Sequence, residues 1–163
     1  MSEANDKTDT PPPTEVLFYH LERQPLEEVL PSLLEKTIER GWRAVVQCGS
    51  PERLEALDLS LWTYRDDSFL PHAISGQAGV NSEDQPILLT SENEAPNGAG
   101  IRFLVDGAEA ESFAGFSRIV YLFDGADEAA IANARQEWRA AKDAGCSVTY
   151  WQQSSQGGWQ KKA

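Results

Sequence analysis

The chain has 163 residues, 40% hydrophobic and 25% charged, which suits one domain able to bury a core without disulfides or metal. Its formal net charge of −12 at pH 7 repels nucleic acid and excludes broad electrostatic DNA binding, although a local basic patch could still hold an acidic partner inside the screening length. The two cysteines, Cys48 and Cys146, lack metal-ligand spacing and lie in or beside apolar runs, where a free thiol acts as a small hydrophobe, so a reducing cytoplasm is expected.

In chain order, Met1–Pro13 is polar, acidic and closed by three prolines; it reads as a disordered tail without the apolar stretch of a signal peptide. Order is expected over residues 14–151. Glu15–His20 is β-rich and predicts the first strand. Leu26, Val29, Leu30, Leu33, Leu34 and Ile38 recur at helical spacing, with Gly41 as the stop; Pro31 inside the pattern leaves open a helix that begins only there. Arg43–Cys48 predicts a buried strand, and Ser50-Pro51 is helix-start chemistry for a segment with Leu54, Leu57 and Leu61 inward and Trp62 as a further candidate for that face. Residues 66–81 read as loop, Ile87–Thr90 as a short strand, Ser91–Gly100 as loop and Ile101–Val105 as strand-like. Arg118–Phe123 is the clearest strand. A long helix over Asp127–Ala144 ends at Gly145, Ser147–Trp151 is a last short strand, and residues 152–163 read as a mobile tail. Strands alternating with helices predict an α/β fold with a mostly parallel, Rossmann-like sheet covered on both faces.

Catalytic chemistry is hard to find. His20 and His72 have no nucleophile and carboxylate at recognisable spacing and read as hydrogen-bonded structural residues. The strand-to-helix turns His20–Pro25 and Cys48–Glu52 lack the glycine pattern a pyrophosphate needs, so a nucleotide-binding enzyme is an alternative by fold analogy only. No metal or cofactor motif is present.

The long helix is more informative. With Arg135 at zero on a helical wheel, Lys142 falls near −20°, Arg139 near +40°, Ile131 near −40° and Trp138 near −60°. Three cations, an indole and an isoleucine thus share an arc of roughly 100°, while Ala130, Ala134 and Ala141 form a small-residue flank able to sit close to a sheet. On a chain of this charge the arc suits a short acidic peptide with an apolar anchor. It equally suits an ordinary helix whose C-terminal cations favour the macrodipole, with Trp138 in the core. A second concentration, Leu61–His72, carries Trp62, Tyr64 and Phe69; these aromatics either mark a protein interface or fold back onto the core.

As a set, these segments resemble the chi subunit of bacterial DNA polymerase III. The resemblance rests on Val16–Leu21, on Gly41-Trp42-Arg43-Ala44-Val45-Val46, on Leu61-Trp62 followed by Ser68-Phe69-Leu70-Pro71-His72, and on the last helix with Arg135, Trp138, Arg139 and Ala144-Gly145; it spans about residues 15–151. It implies a three-layer α/β/α domain without catalytic activity of its own, an accessory subunit of the clamp-loader assembly in the cytoplasm. It further implies two partners. One is the acidic, Pro-Phe-ended tip of single-stranded DNA-binding protein, at Arg135, Trp138 and Arg139. There Ile131 stands where a Lys can occur, and Lys142 can compensate. The other is the psi subunit, at Trp62, Phe69, Leu70 and Pro71. Direct high-affinity nucleic-acid binding, a membrane and a cofactor are not expected.

Overall fold

Five consecutive buried residues, Ala44–Cys48, form β2, and equally buried, mostly apolar runs at Ile87–Thr90 and Ile101–Val105 form β4 and β5. Continuous apolar runs of this kind belong to strands covered on both faces. The structure, a computed structural model, describes residues 13–22, 24–64, 70–155 and 158–163. The expected N-terminal tail therefore lies outside the described residues, apart from Pro13.

The remaining strands are β1 (Glu15–Leu21), β3 (Ala73–Ile74), β6 (Arg118–Asp124), β7 (Ser147–Gln153) and β8 (Trp159–Lys161). The helices are α1 (Leu26–Glu39), α2 (Pro51–Thr63) and α3 (Glu128–Asp143). Among the described residues the sheet order is β3-β4-β2-β5-β6-β1-β7-β8. Every pairing is parallel except β7 with β8. Helices α1 and α2 pack on one face and α3 on the other, the three-layer α/β/α arrangement that alternation predicts.

One detail left open by the sequence is decided and two differ from it. Helix α1 begins at Leu26, not at Pro31, which is buried inside it. An interior proline costs about 3 kcal/mol, but Leu26, Val29, Leu30 and Leu34 are buried along the same helix, each contributing about 1.5–3 kcal/mol. Burial therefore outweighs the missing hydrogen bond. Strand β3 lies inside the segment read as loop, where Ala73 and Ile74 pair with Leu88 and Leu89. The chain end also differs: β7 continues to Gln153, and β8 returns beside it with Trp159 packed on Tyr19 at 4.9 Å between ring centroids. Backbone pairing to an open edge and one aromatic contact order a segment whose composition alone is that of a tail.

The β2–β4–β5 end of the α3 face has loops over it. Buried Arg102 of β5 reaches up to them, its guanidinium 4.6 Å from the Phe116 ring centroid and donating to Asn93 Oδ1.

Candidate functional site

Helix α3 is locally well specified. Asp127 accepts from the backbone N–H of Ala129 (2.9 Å) and Ala130 (3.3 Å), an N-cap on two otherwise unpaired donors. At the other end Gly145, at φ 84°, donates to the Lys142 carbonyl, and Cys146 donates to that of Ala141. This is the paired closure that needs a residue in the left-handed region. The small flank faces the sheet: Ala134 and Ala141 are buried. Tyr121 of β6 donates to Glu137 Oε1 at 2.5 Å, and the Ala110 N–H donates to the same oxygen at 3.4 Å, fixing helix, sheet and loop together. Burial, then Glu137, pushes the Tyr121 hydroxyl well above the usual tyrosine range.

Against this frame the predicted arc takes shape. Arg135, Arg139 and Lys142 are exposed, while Ile131 and Trp138 are half-buried. Trp138 packs against Phe18 (5.7 Å) and Tyr150 (6.0 Å), and Lys142 Nζ stands 5.2 Å from its ring centroid. One side of the indole therefore packs on the core, and Lys142 stands over its ring. Phe18 stacks on Tyr121 at 4.6 Å, which stiffens the floor.

The sequence reading missed residues of the sheet beside this strip. Tyr150 of β7 shares a 2.7 Å hydrogen bond with His20 Nδ1 and meets Phe123 edge-on at 6.0 Å. Burial raises the Tyr150 pKa, and the positive charge of Arg135 opposes that rise. His20 in turn lies 3.4 Å from Glu22. The alternating pattern of β7 could have placed Tyr150 on one face, but not beside β1. The resulting surface offers three cations on one border and an apolar, aromatic wall on the other. It can pair with carboxylates and seat an aromatic or aliphatic side chain.

The second concentration lies on the opposite face of the sheet. Trp62 is 45% exposed and packs at 4.2 Å on His72, which is buried with Nδ1 donating to the Leu70 carbonyl. Leu59, 65% exposed, sits one turn before it and extends the apolar patch; nothing in its spacing with the inner residues Leu54, Leu57 and Leu61 marked it. Pro71 is half-buried. Leu70 is corrected: at 2% exposure it belongs to the hydrophobic core and presents no surface. Phe69 lies outside the described residues.

A larger cleft of about 820 Å³ opens at the carboxyl ends of β5, β6 and β1. Here α1 leaves β1 on one face and α3 leaves β6 on the other, the switch point where doubly wound folds take ligands. Its lining includes Glu22, Glu27, Asp106, Asp124 and Asp127. Its guanidinium, Arg53, is already paired with Glu27 (2.9 Å) and Asp106 (3.2 Å). That balance disfavours a phosphate and weighs against the nucleotide-enzyme alternative. Among the described residues no cluster of His, Cys, Asp and Glu could hold a metal, and no helix is long and apolar enough to cross a membrane.

Two comparisons with known proteins bear on the chain as a whole. A family model described as DNA polymerase III chi subunit, HolC, matches residues 14–149. A protein of Rickettsia prowazekii (strain Madrid E), named probable DNA polymerase III subunit chi, is 25% identical over 114 residues, covering 66% of this chain and 68% of its own length.

Proposed function

This chain belongs to the DNA polymerase III chi subunit family, and from that membership we propose that it is a non-catalytic accessory subunit of the clamp-loader assembly that holds the acidic C-terminal tip of single-stranded DNA-binding protein on α3. The observation that carries this reading is the strip of Arg135, Arg139 and Lys142 beside half-buried Trp138 and Ile131, on a chain of net charge −12. A tip with several Asp, a Pro and a terminal Phe carboxylate matches it group for group. Cations take the carboxylates, and the wall of Trp138, Ile131 and Tyr150 takes the ring. The surface of Trp62, Leu59 and Pro71, with Phe69 beside it in sequence, is the docking face for a psi subunit. Because α2 and α3 lie on opposite faces of the sheet, both partners can bind at once in the cytoplasm.

The test is a tryptophan-fluorescence titration with a synthetic Asp-rich peptide ending in Pro-Phe with a free carboxyl. Saturable binding that needs the terminal Phe, and that Arg139→Ala weakens about tenfold, supports the reading. Binding indifferent to both Arg139→Ala and Trp138→Ala would remove α3 as the site.

A further inference from the structure

The sheet face carrying α1 is open over β1. Val16 and Phe18, which point toward α3, are fully buried, whereas Leu17 and Tyr19 on the α1 side are only half-buried. Between these two residues and the C-terminal half of α1 runs a groove of about 160 Å³, with an apolar floor that includes Leu33, Phe103 and Val120. Three cations line it: Lys36 and Arg40 from α1, and Arg118 from β6.

Lys36 and Arg40 are exposed, and neither has a carboxylate partner among the described residues. Arg118 is oriented by Glu15, to which it donates from Nε (3.0 Å) and one terminal nitrogen (2.8 Å), and its guanidinium lies 5.6 Å from the Trp42 ring centroid. The charges of Arg118 and Arg40 both reach the Tyr19 hydroxyl, where they oppose the rise in pKa that burial causes. Trp159 of β8 packs on the same Tyr19, and it lies beyond the residues that match the family.

We propose that this groove is a second docking site, for a short acidic peptide segment anchored by one apolar side chain, separate from the α3 surface. Its volume is below the roughly 300 Å³ of a small-molecule pocket, so it takes a single side chain rather than a cofactor. Lys36 and Arg40 beside an apolar pit complement carboxylates on either side of that anchor, while Arg118, already paired with Glu15, fixes the wall of the groove rather than adding a free charge. Glu15 opposes Lys36 and Arg40, but it is already committed to Arg118. A nucleic-acid strand fits less well. It needs a track of cations along many phosphates, and the net charge of −12 repels such a polyanion before it arrives.

The five tryptophans make the proposal testable on the intact chain, because their indole N–H signals report different surfaces. Trp42 and Trp159 flank the groove, Trp138 marks α3 and Trp62 marks α2. The probe is a heptapeptide of acidic residues with one central Leu and an amidated C-terminus, which lacks the terminal Phe carboxylate proposed for α3. It is titrated into nitrogen-15-labelled protein. The expected result is saturable movement of the Trp42 and Trp159 signals that survives Arg139→Ala and weakens about tenfold or more in the Lys36→Glu, Arg40→Glu double variant. Arg40→Gln alone serves if the double reversal disturbs α1, and retained dispersion of the five indole signals shows that each variant is folded. Movement confined to Trp138, or no movement, overturns the proposal. So does tighter binding of oligothymidylate at the same two signals, which would make the groove a nucleic-acid surface. Failure here leaves the α3 reading standing, since that rests on a different peptide and a different tryptophan.

Discussion

Replacing Cys48 by Ala should reverse its effect on stability between neutral and alkaline pH. Cys48 closes β2 at 1% exposure, and its thiol is pushed from 9.0 up to about 12, chiefly by burial, with the charge of Asp106 adding and that of Arg53 opposing. The folded state therefore keeps a proton that the unfolded state releases. A raised folded pKa gives stability that is intact below the unfolded value and lost as pH rises toward the folded one, so the window is pH 9.0 to about 12. The slope is about 1.4 kcal/mol per pH unit, so by pH 10.5 the parent has lost about 2 kcal/mol through this group. The alanine variant lacks that loss, but gives up the buried sulfur, about 1 kcal/mol at any pH. Urea unfolding followed by tryptophan fluorescence, with thiols kept reduced, should find the parent more stable by about 1 kcal/mol at pH 7.5 and the variant more stable by about 1 kcal/mol at pH 10.5. Tyr19, Tyr121 and Tyr150 are also raised by burial and lose stability in the same direction, but they do so in both proteins and cancel in the difference. Parallel pH curves for parent and variant would refute the reasoning and place the Cys48 thiol in a polar setting.

Other substitutions probe the two surfaces. Asp127→Ala removes the side-chain N-cap of α3 and should cost about 1 kcal/mol, seen as a fall in Tm of about 2–4 °C by calorimetry. Gly125→Ala puts a Cβ 2.0 Å from His20 Nε2 and 2.8 Å from the Leu21 carbonyl oxygen. It should destabilise by about 1–3 kcal/mol in urea unfolding and shift the Tyr150 ring signals as His20 is displaced from its hydrogen bond. Leu59→Glu, at a site 65% exposed, should change stability by no more than about 0.5 kcal/mol yet abolish capture of a psi subunit in a pull-down. A large loss of stability would show instead that Leu59 is packed.

What the sequence could show depended on whether the physics was local. Helix α2 was legible because Ser50-Pro51 specifies its start within a few residues, and Ser50 Oγ does accept the Arg53 N–H at 3.4 Å. The arc of Arg135, Arg139, Lys142, Ile131 and Trp138 was legible because helical geometry alone fixes which side chains share a face. Tyr150, His20 and Phe123 were not, because they meet through the parallel register of β1 with β6 and β7, which joins positions far apart in the chain. The groove of Lys36, Arg40 and Arg118 was hidden for the same reason, with cations drawn from α1 and β6. Strand β8 was the hardest case: Trp159-Gln160-Lys161 has little strand character of its own and is ordered by the edge and aromatic surface that β7 and β1 present. Leu70 sat in a motif read as surface, and only its burial in the core cluster shows it to be core.

The charge layout sets how any acidic partner reaches this molecule. Against 26 carboxylates stand 14 lysines and arginines. Six of them, Lys36, Arg40 and Arg118 on one side and Arg135, Arg139 and Lys142 on the other, line the two proposed sites. An acidic peptide is thus attracted at close range and repelled at long range, and salt decides which term it feels. At 0.01 M ionic strength the screening length is about 30 Å, so the whole negative molecule is sensed; near 0.1 M it is about 10 Å, and only the nearby patch acts; near 1 M it is about 3 Å, and the patch is screened as well. Affinity for an acidic peptide should therefore pass through a maximum at intermediate salt rather than fall steadily, and the association rate should rise as salt is first added. A series of titrations and stopped-flow traces from 0.01 M to 1 M salt tests this. Monotonic weakening from the lowest salt upward would mean that the cationic patches outweigh the net charge even at a distance, and that charge at the site alone governs encounter.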